Sequence, residues 1–166
     1  MAPTTPYSKY LGDREPVAAM RDTAARIERM TAGWTPPAFE RTYAPGKWTA
    51  RQILIHLAQS ELALGTRARM ALSTSNDVAQ PFDQDAWIAR ESSTSAADAL
   101  AAFLAATRLD VALFASLSAA DRQISLAHPE YGALTVDWIV HTIAGHQINH
   151  LQQIEAIANG GTGVMG

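Results

Sequence analysis

The chain contains no cysteine. That absence excludes a disulfide, a thiolate metal site and a cysteine nucleophile supplied by the protein itself. Any metal must be held by His, Asp, Glu, amide or water, and any chemistry needing a thiol must import one. Long apolar runs are also missing: no stretch approaches the ~20 consecutive apolar residues of a membrane span. The opening "MAPTTPYSKYLGDREP" has no apolar core of signal-peptide type. A cytoplasmic protein with no membrane partner is expected. The formal net charge is −3 and the arginines are scattered, which argues against a nucleic-acid surface. No segment shows convincing period-2 alternation, and there is no internal repeat.

What remains is helical patterning. A chain of 166 residues fits one domain and can bury a core. One domain is expected over 1–166, with a core at about 10–158 and a loose tail at 159–166. The first helix runs from about Glu15 to Met30, with Asp13 as a candidate cap and Val17, Met20, Ala24, Ile27 and Thr31 on one face. Thr49 and Gln52 form a capping-box pattern at the start of a second helix, which continues to about Leu72. Ser95 and Asp98 repeat that pattern before a third helix ending near Ser116. Thr135 is a good cap for a fourth, from about Val136 to Asn159. These lengths predict an all-α four-helix bundle. The connections at 73–94 and 117–134 are long, so a tight up-down-up-down order is not assured, and the first is read as functional or mobile.

The chemistry concentrates on histidine. In "GHQINHLQQI", residues 145–154, His146 and His150 are four apart. At about 100° per residue, His150 lies about 40° from His146, and Ile139, Ile143 and Ile157 fall in the same sector. Both histidines therefore point into the core, whereas His141 falls on nearly the opposite face. A buried polar group without a partner costs roughly 2–7 kcal/mol on transfer scales. The pair is either two core histidines bonded to carbonyls or two ligands gripping one ion from the same side. His56 on the second helix also faces inward, beside Ile53 and Ser60. Three inward nitrogens from two helices would make an open site of catalytic form.

Other residues read as bland. Gln147 follows His146, so no HExxH protease pattern exists. Glu61 is expected on a solvated edge. Asp83 and Asp85 in "PFDQDAW" read as loop and turn residues, His128 before Pro129 as a surface loop residue, and Arg108 as solvated or salt-bridged. Gln59 and Ser60 lie within a turn of His56. Trp48, Trp87 and Trp138 pack the bundle ends or wall an apolar pocket. Leu109 and Leu113 lie behind the third helix's stripe and could form a homodimer surface.

The order of "YAPGKWTARQILIHLAQSE", "PFDQDAW" and "HPEYGALTVDWIVHTIAGHQINHLQQI" resembles the DinB-like (DinB/YfiT) superfamily of metalloenzymes, from about Tyr10 to Ile157. The resemblance implies a four-helix bundle with one divalent ion, nickel or zinc foremost, held by His56, His146 and His150. It also implies a small-molecule substrate and, in some relatives, S-transfer from a low-molecular-weight thiol such as bacillithiol or mycothiol. Other relatives isomerise maleylpyruvate with a thiol cofactor. Two other expectations stand beside that enzyme: a bundle that binds a metal or small ligand without turnover, and a dimeric module whose histidines only pack.

Overall fold

The computed structural model describes residues 2–74 and 77–160. Most of the expected tail, 161–166, lies outside the described residues. Four long helices form the body: α2 (Pro16–Thr31), α4 (Ala50–Ser73), α6 (Ala96–Ser116) and α8 (Val136–Ala158). Short helices α1 (Ser8–Leu11), α3 (Pro36–Phe39), α5 (Gln84–Arg90) and α7 (Ala119–Arg122) sit at their ends and in the connections.

The helix starts follow the chemistry of their caps. Thr49 and Gln52 close a reciprocal box at α4, with Gln52 Oε1 accepting the Thr49 N–H at 2.8 Å. Ser95 and Thr135 accept from the backbone N–H of Asp98 and Trp138. At α2 the cap is Glu15 rather than Asp13, its carboxylate accepting from Val17 and Ala18. Pro16 occupies the first helical position, where a missing N–H costs nothing, so the residue before it must cap.

Each long helix packs on two others: α4 lies against α6 and α8, and α2 against α6 and α8. The first and second long helices are therefore diagonal to one another, as are the third and fourth. Polar contacts give the directions. Arg51 near the start of α4 reaches the carbonyls of Ser92 and Thr94, just before α6, and Arg69 further along reaches Asp110. Thus α4 and α6 run parallel. Trp48 meets His150 while Glu61 meets Gln147, so α4 and α8 run antiparallel. A parallel neighbour demands that the chain return the length of α4, about 36 Å at 1.5 Å per residue. That is why the second connection is long. It travels back along α4, held by Arg67 to the Gln80 carbonyl and by Arg51 at its far end.

Three features depart from the sequence reading. The third connection contains a β-hairpin, β1 (Ser125–His128) paired antiparallel with β2 (Gly132–Thr135). Strands of four residues are too short to show a period, but Gly132 at φ 72° supplies the left-handed turn the hairpin needs. Pro129 biases His128 towards the extended conformation it adopts. The second connection is pinned rather than loose: Ala79 donates to the Ala127 carbonyl, Ala127 donates to that of Asp77, and residues 84–90 form α5. Finally, α6 is long and apolar enough by length and composition alone to cross a membrane. Here it packs between α2 and α4, with Thr107 and Asp110 buried.

Candidate metal centre

His56 from α4 and His146 and His150 from α8 converge in the core, each 5% exposed or less. The Nε2 atoms of His56 and His146 are 2.9 Å apart, and those of His150 and His146 are 3.0 Å apart. His150 Nδ1 donates to Gln153 Oε1 at 2.8 Å, which places its proton on Nδ1 and leaves Nε2 a bare lone pair. His146 Nε2 then faces the bare His150 lone pair on one side and His56 Nε2 on the other, and whichever tautomers His56 and His146 adopt, at least one of the two contacts is left without a well-placed proton of its own. A single proton cannot serve both contacts well, whereas one cation accepts all three lone pairs at once. The donor set thus fits a divalent ion, and ligand atoms from all three residues lie within 4.8 Å of one another.

Electrostatics point the same way. Burial drives the His56 pKa down to about 3, with the neighbouring His150 adding to the effect. Burial lowers His150 to about 4, against a small opposing contribution from Gln153. His146 is held well below its ordinary value by burial and by the other two rings. All three are neutral at pH 7, as imidazole ligands must be. The Nδ1 atoms of His56 and His146 make no hydrogen bond among the described residues.

Aromatic rings bracket the cluster. Trp48 lies 4.8 Å from His56 and stacks on His150 at 6.3 Å, and Tyr7 meets His146 edge-on at 5.1 Å. On the Tyr7 side the histidines open into a cleft of about 180 Å³. His56, His146, Ser60 and Thr142 lie along its floor, and Tyr7, Phe82, Tyr131 and Trp138 form much of its wall. The Ser60 hydroxyl is 3.5 Å from His56 Nε2, and the buried Thr142 hydroxyl makes no hydrogen bond among the described residues.

The remaining candidates divide. Trp48 and Trp138 do wall the site, whereas Trp87 lies half-exposed against Phe82 on the outer side of α4. Asp83 caps α5 and Asp85 sits in its first turn; both are exposed, and neither lines the histidine cleft. Arg108 is exposed in a separate hollow between α2 and α6. His141 is partly buried and its Nδ1 hydrogen-bonds with the Asp137 carbonyl, apart from the pair. Leu109 is 63% exposed while Leu113 packs partly against the core.

Two readings are corrected. His128 is not on the surface: the hairpin folds it over the cleft, 5% exposed, its Nδ1 accepting the Glu130 N–H. Glu61 is not solvated but 1% exposed, and its carboxyl accepts from Gln147 Nε2 at 2.9 Å. The reason is that α4 is flanked by both α6 and α8, so every residue from Ile53 to Glu61 is buried. Sequence reasoning also missed Gln153, although "HLAQ" at 56–59 and "HLQQ" at 150–153 place an amide three residues after each of two ligand candidates.

A sequence profile of the DinB superfamily matches residues 19–154, most of the chain and all three histidines. The chain belongs to the DinB superfamily. A protein of Oceanobacillus iheyensis named "Putative metal-dependent hydrolase OB0782" is 28% identical over 125 residues, covering 71% of this chain and 69% of that one. A Bacillus mycoides protein with the same descriptive name is 26% identical over 142 residues, covering 85% and 82%. Among solved structures, YfiT from Bacillus subtilis superposes with a TM-score of 0.80 at 20% identity, covering 96% of this chain and 90% of that one. It is described as "a probable metal-dependent hydrolase with an unusual four-helix bundle topology". The four-helix bundle seen here is that fold.

Proposed function

We propose that this DinB-superfamily protein is a metal-dependent enzyme in which His56, His146 and His150 hold one divalent ion, nickel or zinc, and that it transfers a low-molecular-weight thiol to a small electrophile. The observation that supports the metal is the convergence of three neutral imidazole Nε2 atoms, two of whose rings, His56 and His146, lie on the floor of an aromatic cleft. Imidazole donors suit zinc and nickel alike. When bound, such an ion would act as a Lewis acid and hold a thiol as thiolate or a water as hydroxide near neutral pH.

The chain's own residues supply position and a dry environment. Gln153 fixes the tautomer and ring angle of His150. Trp48 packs on the His56 and His150 rings away from the cleft and Tyr7 meets His146 edge-on, so the rings are covered except where the cleft opens. Ser60 and Thr142 offer hydroxyls to a ligand on the cleft floor. In the transfer, the thiol sulfur forms a bond to the electrophilic carbon, the carbon–leaving-group bond breaks, and the thiol proton departs with the leaving group. The absence of cysteine agrees with a thiol that comes from outside.

Hydrolysis is the second reading, favoured by the name the relatives carry, and there water replaces the thiol. The two are separated by incubating the metal-loaded protein with 1-chloro-2,4-dinitrobenzene and related electrophiles. Bacillithiol, mycothiol, glutathione or no thiol is supplied in parallel. A metal-dependent thioether product is expected with one of the thiols. Metal-dependent products of water attack alone would replace transfer with hydrolysis, and no acceleration under any condition would leave a binding protein.

A further inference from the structure

Arg67 is set apart from the other half-buried arginines. Arg51, Arg69 and Arg122 each pair with a carboxylate, Glu40, Asp110 and Asp137 respectively. Arg67 has no carboxylate within 4 Å among the described residues. Its one hydrogen bond there is to the Gln80 carbonyl, at 2.5 Å, and its guanidinium lies 5.8 Å from the centre of the Phe82 ring. The guanidinium carries five N–H donors in a planar fork, so most of them are uncommitted. Arg67 also lines the same cleft as His56 and His146. Eleven residues on from His56 along α4, it returns to within about 20° of the same helix face, and helical side chains lean towards the N-terminus, which is the direction of His56.

The opposite wall is suited to the same ligand. His128 is neutral, and because its Nδ1 accepts the Glu130 N–H, its proton lies on Nε2 as a hydrogen-bond donor. Glu130, exposed at the cleft rim, is near enough to act on Arg67 through space but makes no ion pair with it within 4 Å, so the guanidinium's donors stay open. Tyr7, Phe82, Tyr131 and Trp138 make much of the remaining wall aromatic.

We propose that Arg67 anchors an oxyanion, so that the small molecule taken by this cleft carries a carboxylate or phosphate on an aromatic or unsaturated body. An arginine fork matches either group with two parallel hydrogen bonds. This deepens the preceding reading and rests on it for the cleft being the substrate site.

Calorimetric titration of the zinc-loaded full-length protein with benzoate, phenyl phosphate and benzamide tests it, with metal content measured separately by mass spectrometry. At least one anion is expected to bind tenfold or more tightly than benzamide, and the better of the two identifies the oxyanion. Arg67→Gln removes that preference, with benzamide binding and metal content unchanged as evidence that the cleft survives. Arg67→Lys, which keeps the charge, retains a preference for the anion. Equal affinity for anions and benzamide in the unaltered protein overturns the proposal, as does an undiminished preference in Arg67→Gln. A protein that takes up no metal yet keeps an Arg67-dependent preference separates failure of the metal reading from failure of this one.

Discussion

Gln153 accepts the Nδ1 proton of His150 at 2.8 Å, from less than one turn further along α8. That bond fixes which ring nitrogen faces the other two histidines. Partners of this kind typically change metal affinity by about 10–100-fold when removed. Gln153→Leu is accordingly expected to weaken metal binding by that factor, measured by competition with a chelating dye, while thermal stability of the metal-free protein changes little. Unaltered metal affinity would show that His150 is oriented by its packing alone.

The three histidines also set a pH dependence. Their folded pKa values lie below the unfolded value of about 6.5, at about 3 for His56 and about 4 for His150. Below pH 6.5 the unfolded chain binds protons that the folded one refuses. The metal-free protein therefore loses stability as pH falls from 6.5 towards 4, by about 1.4 kcal/mol per pH unit for each histidine. Urea unfolding at pH 7.5, 6 and 5 measures this, best in a Glu61→Gln background that removes an opposing carboxyl. A flat profile would mean that the histidines are hydrated rather than buried.

That carboxyl makes its own prediction. Glu61 Oε2 and Asp110 Oδ2 are both buried with no N–H or hydroxyl partner, and the two side chains are within hydrogen-bonding reach of each other. Burial raises the Asp110 pKa too, but Arg69 Nη1 at 2.5 Å and a hydrogen bond from Glu61 oppose that shift, whereas no cation pairs with Glu61, so the shared proton is assigned to Glu61, which donates it to Asp110. Burial raises the Glu61 pKa well above the carboxylate range. For an acid shifted upward, stability present below about pH 4.5 is lost as pH rises towards the folded pKa. Glu61→Gln, which keeps a donor, is expected to match the parent within about 1 kcal/mol at pH 5 and exceed it at pH 8. Chemical denaturation at the two pH values checks this. Equal pH dependence in the two proteins would place the proton elsewhere.

Gly145 holds the cleft wall in place. A Cβ there would lie 2.6 Å from the Tyr7 carbonyl oxygen and 2.7 Å from Tyr7 Cβ, and the backbone oxygen cannot swing aside as a side chain can. Gly145→Ala must displace the Tyr7 segment from α8. A loss of about 1–3 kcal/mol in stability is expected, as for overpacked sites, together with faster proteolysis before Pro16. Unchanged proteolysis and stability would contradict the close packing of this segment.

Much of this architecture was legible in the sequence because it rests on local chemistry. The caps at Thr49, Ser95 and Thr135, and the inward faces of His56, His146 and His150, follow from spacing along single helices. What was hidden depends on which elements meet. Glu61 looked solvated because one helix wheel cannot show that α4 is flanked on both sides. His128 looked superficial because two four-residue strands carry too little periodicity to reveal a hairpin, and only the hairpin brings it over the cleft. Arg67 drew no notice because its distinction is the lack of a partner, which appears only once the pairs of Arg51, Arg69 and Arg122 are known.

The central claim is that the three converging histidines hold one ion. A metal-edge anomalous difference map from crystals of the purified protein tests it most directly. A single peak among His56, His146 and His150 Nε2, absent in His146→Ala, is the predicted result. A fully metal-exchanged crystal with no peak at that position, the three rings hydrogen-bonded only to one another, would contradict it.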